Sequence, residues 1–154
     1  MWIYKNQKIN TIANLPENSY GFIYEVVHKE SGKKYVGKKV LFFERNVKLG
    51  KRELKQLQRE RKEEGKKGRV PKKKKVIKES DWKTYYGSQK EIRELLKQEG
   101  PQAFTREIIE IGRNKKHLTY LETKLLFSKG VLETEEYLND NILGKFYSKD
   151  LVDL

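Results

Sequence analysis

Near the start of the chain stands Phe22-Ile23-Tyr24, followed after ten residues by Tyr35-Val36-Gly37. Each triplet lies in an apolar, strand-favouring run, and the runs flank Ser31-Gly32, so the stretch predicts a β-hairpin. If Ser31-Gly32 is a two-residue loop, Tyr24 lies opposite Lys39 and Tyr35 lies opposite His28. Because side chains alternate along strands, these four share one face. Two phenols and a lysine form an unusual lining for a small protein, although tyrosines that simply pack in the core remain the alternative.

The composition favours a polyanionic partner. The chain has 154 residues, enough for one domain, with 36% hydrophobic and 37% charged residues and a net charge of +13. That balance points to nucleic acid first and to an anionic membrane second. The absence of cysteine excludes disulfides and thiolate zinc sites, and two histidines cannot build a His-rich metal site. Any metal would be a hard cation on oxygen ligands. No signal peptide or membrane-spanning run is visible, so we expect an intracellular, cytoplasmic protein without a membrane partner.

The positive charge is concentrated in one segment. Residues 45–78 contain 16 Lys or Arg and 4 Glu, which is +12 of the total +13. We therefore expect a basic insert at about 45–79 within a single domain that covers residues 1–154. Within it, Arg45 to Glu64 predicts a solvated helix and Gly65 to Lys75 a mobile loop, disordered without nucleic acid.

The rest of the chain predicts further strands and helices. Trp2-Ile3-Tyr4 and the run from Ile9 to Leu15 could add an edge strand or an arm. A helix is expected over Ser88 to Gly100, where Ser88 and Glu91 form a capping box. The remaining expected elements are a strand over Phe104 to Ile111, a helix from Asn114 to Ser128, and a short helix or turn over Val131 to Leu143. The economical solution is an α+β fold in which helices flank a small three-stranded antiparallel sheet.

Glu122 is placed unusually for a carboxylate. The helix over Asn114 to Ser128 has an apolar stripe, and at 3.6 residues per turn Glu122 falls inside it. An unpaired carboxylate in a core is costly, so it must be neutralised or bind a cation. An ion pair with Lys or Arg at the edge of the stripe is the alternative. The stripe consists of Leu118, Leu121, Leu125 and Leu126.

The paired triplets resemble the signature of the GIY-YIG nuclease family, with Phe in place of the first Gly and Val in place of the Ile. The resemblance implies the same α+β architecture and covers roughly Tyr20 to Asn141. Two further sequence features extend the resemblance. One is the segment from Glu79 to Ser88, which ends Trp82-Lys83-Thr84-Tyr85-Tyr86-Gly87-Ser88, and the other is the Lys-rich insert that precedes it. Together they look like the phage-encoded branch of homing-type or Seg-like endonucleases.

The resemblance also implies catalytic roles. Tyr24 would be the general base that activates water, its pKa lowered by Lys39 and a metal, and Tyr35 would orient water or phosphate. Glu122 would hold one divalent ion, Mg²⁺ or Mn²⁺. Arg45, ten residues after Tyr35 and expected on the first helix, would stabilise charge on the phosphate, unless it is a solvated charge. The site would be completed by Lys38 and Lys39 as phosphate ligands and by a supporting Asn139, with Asn141 a weaker match.

The implied function is a metal-dependent endonuclease that hydrolyses phosphodiester bonds of DNA, most simply duplex DNA, and is encoded by a phage or mobile element. The expected DNA-binding residues are Lys38, Lys39, Arg52, Arg69, Lys72, Lys73, Lys74 and Lys75. The first alternative is a non-catalytic nucleic-acid-binding protein on a nuclease-like fold. The second is a structural or anti-host phage protein whose basic tract binds RNA or an acidic protein.

Overall fold

The computed structural model describes residues 1–151. It divides into two compact units: the larger unit, Met1–Leu41 together with the chain from Ser80 onward, and the basic unit, Phe42–Glu79. The basic stretch expected as an insert falls within the second. The strands are β1 (Trp2–Tyr4), β2 (Gln7–Ile9), β3 (Gly21–His28), β4 (Lys34–Val40), β5 (Phe42–Lys48), β6 (Lys73–Glu79), β7 (Phe104–Gly112), β8 (Asn141–Ile142) and β9 (Phe146–Tyr147). The α-helices are α1 (Lys51–Glu63), α2 (Lys90–Glu99) and α3 (Lys115–Ser128).

The larger unit is built on a five-stranded sheet in the order β2-β1-β7-β3-β4. The α+β class is confirmed, but the prediction of three strands is wrong. The three predicted strands are the adjacent β7, β3 and β4, which pair antiparallel. The N-terminal hairpin β1–β2 extends this sheet, with β1 parallel to β7. It was difficult to predict because each of its strands has three residues, too few for a period to emerge.

The register of the β3–β4 hairpin differs from the prediction by two residues. Tyr24 pairs with Gly37 and Phe22 pairs with Lys39, because the loop is longer than Ser31-Gly32 alone. The loop is closed by His28 N, which donates to Lys33 O at 2.9 Å. A slip of two residues preserves the side-chain faces, so the predicted shared face survives.

The two faces of the sheet carry different cores. On one face, aromatic rings pack edge to face: the centroids of Trp2 and Phe22 are 4.9 Å apart and those of Phe22 and Trp82 are 6.2 Å apart. On the other face, Ile23 and Val36 pack against Leu118 and Leu126 of α3. Burial on both faces explains why β3 reads as a near-continuous apolar run.

The helices of the larger unit begin and end at local signals. Asn114 caps α3, accepting a hydrogen bond from His117 N at 2.9 Å. The predicted capping box of Ser88 in α2 is wrong: Gln89 is the N-cap, and its side chain accepts from Ile92 N at 2.9 Å. Gly100 ends α2 with φ at +85°, a conformation that glycine tolerates. In the range 131–143, where a short helix or turn was expected, turns lie at 131–132 and 135–136, Tyr137 forms an isolated parallel bridge with Lys34, and Asn141–Ile142 form β8.

The basic unit is a two-stranded antiparallel sheet of β5 and β6 whose connection contains α1. Two predictions are corrected here. The helix begins at Lys51 rather than Arg45, because residues 42–48 form a strand. Lys73–Lys75 belong to β6 and pair with residues 46–48, so they are not part of a loop. None of the residues of this unit is fully buried.

Across residues 1–151, no helix combines the length and the apolar character that crossing a bilayer requires.

Candidate active site

The phenol of Tyr24 lies over a glycine of the neighbouring strand. A Cβ atom built on Gly37 would lie 2.5 Å from the Oη of Tyr24 and 3.0 Å from Cε1 of Tyr35. Gly87 approaches the same hydroxyl, since its Cβ would lie 3.1 Å from the Oη of Tyr24. The two glycines therefore make room for the hydroxyl, and Tyr24 is only 1% exposed.

An open cavity of about 470 Å³ lies beside β4, the last strand of the sheet. It gathers a phenol, an ammonium and a carboxylate that the chain separates widely: Tyr35 and Lys38 from β4, and Glu122 from α3. Tyr24 does not line it. The full lining is Tyr35, Val36, Lys38, Gln89, Lys90, Glu122, Leu126, Leu138, Asn139, Asp140, Asn141 and Leu143.

Glu122 lies where its helix periodicity predicts, on the face of α3 that carries Leu118 and Leu126. Its side chain is 18% exposed, and the Nζ of Lys38 is 3.7 Å from its Oε1. Burial raises the pKa of Glu122, and the opposing attraction of Lys38 does not cancel the effect. Glu122 therefore forms the ion pair that was expected as one alternative, at a long distance of 3.7 Å, and it also lies at the edge of a cavity where it could bind a cation, the other alternative.

Both tyrosines of the signature are held in the neutral form. Burial is the main cause that raises the pKa of Tyr24, and the phenols of Tyr85 and Tyr35 add to it. Burial also raises the pKa of Tyr35, followed by the charges of Tyr85 and Glu122, whereas a hydrogen bond with Ser88 acts in the opposite direction. The expected lowering of the pKa of Tyr24 combined Lys39 with a bound metal ion, whereas the surrounding residues by themselves raise it.

Lys39, which was expected to help lower the pKa of Tyr24, forms an ion pair with Asp81. Its Nζ is 2.5 Å from the Oδ1 of Asp81, and it lies 3.9 Å above the centre of the Tyr85 ring. Its side chain is 10% exposed. Lys39 therefore holds the segment that follows Ser80, whereas the side chain of Lys38 is 41% exposed.

Asn139 fixes the outer edge of β4. Its Oδ1 accepts from Val36 N at 3.0 Å, and its Nδ2 donates to Val36 O at 2.8 Å. Leu138 N also donates to Lys34 O at 2.7 Å. Since both polar atoms of the amide are used, Asn139 positions the strand that carries Tyr35.

Comparison with known proteins identifies the fold family. The family model described as "Putative endonuclease segE, GIY-YIG domain" matches residues 2–142. The chain belongs to the GIY-YIG family. The match supports its Seg-like endonuclease branch, and membership implies a nuclease whose substrate is nucleic acid. No curated relative and no solved structure matches the chain.

GIY-YIG nucleases generally use a divalent metal, and the cavity of this domain fits one. Glu122 is a carboxylate with a raised pKa whose ion pair with Lys38 is long, at 3.7 Å, and Asp140 adds a second carboxylate to the same lining. Oxygen donors of this kind suit Mg²⁺ or Mn²⁺.

A second group of possible ligands lies in the same unit of the GIY-YIG domain. One ligand atom each from His28, Glu30 and Glu99 lies within 4.8 Å of the others. Both ring nitrogens of His28 are already hydrogen-bonded, to Ser31 Oγ at 2.7 Å and to Glu99 Oε2 at 2.5 Å. These bonds fasten the hairpin loop to the end of α2.

The segment from Asp81 to Ser88 is the part of this GIY-YIG site that sequence reasoning did not assign. The rings of Tyr85 and Tyr24 pack edge to face with centroids 5.9 Å apart, and a Cβ atom built on Gly87 would lie 3.1 Å from the Oη of Tyr24 and 3.5 Å from Cδ1 of Tyr35, so the segment approaches both phenols. Buried Arg106 fixes the backbone of this segment, since its Nη1 donates to Tyr85 O at 2.8 Å and to Lys83 O at 3.1 Å. An arginine at a buried position of the alternating strand β7 is the signal that could have revealed this.

Arg45 and most of the expected DNA-binding residues belong to the basic unit. Arg45 lies on β5 opposite Val76, and not on a helix. Arg52 is exposed on α1, and Arg69 is exposed in the segment between α1 and β6. In the run from Lys72 to Lys75, Lys74 and Lys75 form ion pairs with Glu53 and Glu44 at 2.9 and 3.2 Å.

Proposed function

We propose that this GIY-YIG domain is an endonuclease that hydrolyses phosphodiester bonds of duplex DNA with one Mg²⁺ or Mn²⁺ ion. The observation that carries the proposal is the cavity in which Tyr35, Lys38 and Glu122 meet. Hydrolysis of a phosphodiester requires a base for the attacking water, a cation near the developing negative charge, and assistance to the leaving oxygen. The cavity offers a group for each of these tasks.

Glu122 would hold the divalent ion, with Asp140 as a second candidate ligand. When bound, the ion would stabilise negative charge on the phosphate and the leaving oxygen. A cation at Glu122 would also reverse the influence of that carboxylate on its neighbours, since the charge of Glu122 contributes to the raised pKa of Tyr35.

Tyr35 is the phenol that we assign to the attacking water. It lines the cavity, whereas Tyr24 lies buried against Gly37 and Gly87. In the proposed reaction Tyr35 acts as the phenolate, which a cation held by Glu122 would favour by lowering the pKa of the phenol. The phenolate accepts a proton of the water, the water oxygen forms the new bond to phosphorus, and the leaving oxygen departs and takes up a proton from solvent. Tyr24 then acts by position, through the contacts of its ring with those of Tyr35 and Tyr85.

Lys38 is the cation that we assign to the scissile phosphate. Its side chain is 41% exposed and its Nζ donates to Thr119 Oγ1 at 3.1 Å, beside Glu122. We further propose that the positive charge of Arg45 contacts the DNA backbone. We also propose that the basic unit supplies most of the non-specific affinity for DNA, because it contains 16 of the 35 Lys and Arg residues.

A plasmid-nicking assay tests the proposal. Purified protein should nick or linearise supercoiled DNA in the presence of Mg²⁺ or Mn²⁺ and should lose that activity when EDTA is added. Glu122→Gln protein, purified in parallel, controls for contaminating nucleases. Cleavage that persists in EDTA would contradict the metal role. Binding without cleavage of any DNA or RNA would instead favour the non-catalytic nucleic-acid-binding protein, which the charge of the basic unit supports equally well.

A further inference from the structure

Helix α1 (Lys51–Glu63) presents three different faces. With 100° between successive residues, Leu54, Leu57 and Arg61 fall on one side, and these are its half-buried positions. Glu53, Gln56, Glu60 and Glu63 occupy the adjacent side, where Glu53 pairs with Lys74 of β6 at 2.9 Å. The helix therefore directs its apolar and acidic residues away from its third face.

The third face is entirely cationic. It contains Arg52, Lys55, Arg59 and Lys62, which fall within an arc of about 80° by helical geometry and are all exposed. We call these four residues the α1 stripe. In the described residues 1–151, none of the four forms an ion pair, whereas three other lysines of the basic unit pair with glutamates.

We propose that the α1 stripe is the principal contact of the basic unit with the phosphate backbone of duplex DNA. The inference rests on the proposed function, in that it takes a nucleic acid as the partner. From Arg52 to Lys62 the stripe extends about 15 Å along the helix axis, at 1.5 Å per residue. One DNA strand presents about four phosphates over the same distance, which matches the four charges of the stripe.

The unpaired state of the stripe is what distinguishes it from the other basic run, Lys72 to Lys75. A lysine that already pairs with glutamate must break that contact before it binds a phosphate, so its net gain is smaller. Lys74 and Lys75 are in this position. Neighbouring residues of a strand also point to opposite faces, so the run cannot approach one backbone as a unit. The stripe has neither restriction.

The test compares two variants that each lose four positive charges. One replaces the α1 stripe by glutamine, a good helix former, and the other replaces Lys72 to Lys75 by glutamine. Both carry Glu122→Gln and are titrated without metal onto a fluorescent 20-base-pair duplex at several salt concentrations. The stripe variant should weaken binding about tenfold or more and flatten the slope of log K against log salt by roughly three to four, since each phosphate contact contributes about 0.9. The Lys72 to Lys75 variant should lose less than half as much.

Equal losses in the two variants would show that only net charge matters and would overturn the proposal, as would a stripe variant that binds normally. Circular dichroism and melting curves identify a variant that fails to fold. In that case the two half-stripe variants, Arg52→Gln/Arg59→Gln and Lys55→Gln/Lys62→Gln, decide the question. The plasmid-nicking assay on wild-type protein, run beside the titration, separates this inference from the nuclease function: a protein that binds through the stripe but never cuts would refute only the latter.

Discussion

Glu122 serves the proposed reaction at the expense of the fold. Burial raises the pKa of its carboxyl above the ordinary value of 4.5, so the folded protein binds that proton more tightly than the unfolded chain does. Ionised Glu122 therefore lowers the free energy of unfolding, fully at pH values above the raised pKa and not at all well below 4.5.

From this we predict that Glu122→Gln abolishes cleavage and raises the melting temperature at neutral pH by about 2 °C, the order expected for somewhat less than 1 kcal/mol in a chain of this size. The difference between variant and wild type should grow as pH rises from 4 to 7. Differential scanning fluorimetry over that range measures it. A variant that melts below wild type at pH 7 would show that the contact with Lys38 outweighs the cost of burial.

The two tyrosines of the signature should respond differently to loss of the hydroxyl. Tyr35→Phe should lower the rate of cleavage by roughly 10²–10⁴-fold, because it removes a general base. Tyr24→Phe should lower the rate less, and it should lower the free energy of unfolding by about 1 kcal/mol, because loss of the buried hydroxyl leaves a small gap beside Gly37 and Gly87. Single-turnover cleavage and urea unfolding of both variants are the measurements. The opposite order of rates would return the role of base to Tyr24.

At the residue scale, the sequence predicts which face of an element a side chain occupies better than it predicts which distant residue that side chain contacts. The period of α3 placed Glu122 correctly, and strand alternation placed Tyr24, Tyr35 and Lys39 on one face. The partner of Lys39 is Asp81, 42 residues along the chain, in a segment without a repeating pattern. Nothing in the local sequence indicates such a contact, so the ion pair of Lys39 could not be predicted.

At the scale of elements, β4 depends on the absence of a side chain at Gly37. A Cβ there would lie 2.5 Å from the Oη and 2.7 Å from the Cζ of Tyr24, and a buried ring has little freedom to move. We therefore predict that Gly37→Ala lowers the free energy of unfolding by about 1–3 kcal/mol and also slows cleavage.

A double-mutant cycle checks the cause. Because Tyr24→Phe removes the hydroxyl but leaves the ring, the double variant Gly37→Ala/Tyr24→Phe should be less destabilised than the sum of the single variants. Urea unfolding gives the three free energies. Strict additivity would mean that the alanine acts on another neighbour, such as Tyr35.

Elements with a clear period or cap were predictable, and those fixed by distant partners were not. Asn114 and Gly100 marked helix ends correctly, and the apolar runs of β3, β4 and β7 marked strands. The register of the hairpin depended on a loop length that Ser31-Gly32 did not reveal. Strand β6 was missed because its exposed lysines show no alternation of polarity; it exists through pairing with β5.

For the whole molecule, charge and packing are separated between the two units. The basic unit contains 16 Lys or Arg and 6 acidic residues, which leaves a net charge of only +3 elsewhere. The larger unit contains all of the fully buried hydrophobic residues. The concentration of charge was visible in the sequence, whereas the strands that organise it were not.

The basic unit should therefore be removable. Its flanking residues are hydrogen-bonded to each other: Ser80 N donates to Leu41 O at 2.8 Å, and Ser80 Oγ donates to Val40 O at 2.6 Å. A short Gly-Ser linker can bridge such neighbouring ends. We predict that replacing residues 42–79 by this linker gives a folded protein whose melting temperature lies within about 3 °C of wild type. Fluorescence of Trp2 and Trp82, both buried in the larger unit, reports the fold directly.

The shortened protein should bind duplex DNA weakly and with a nearly flat salt dependence, because the phosphate contacts that release counterions have been removed. Cleavage should fall with it. Since the excision also removes Arg45, full-length Arg45→Gln is the matched control: loss of cleavage with normal binding in that variant would assign Arg45 to the reaction itself. A shortened protein that retains the wild-type salt slope would place the DNA contacts on the larger unit, and one that does not fold would show that the sheet requires the basic unit.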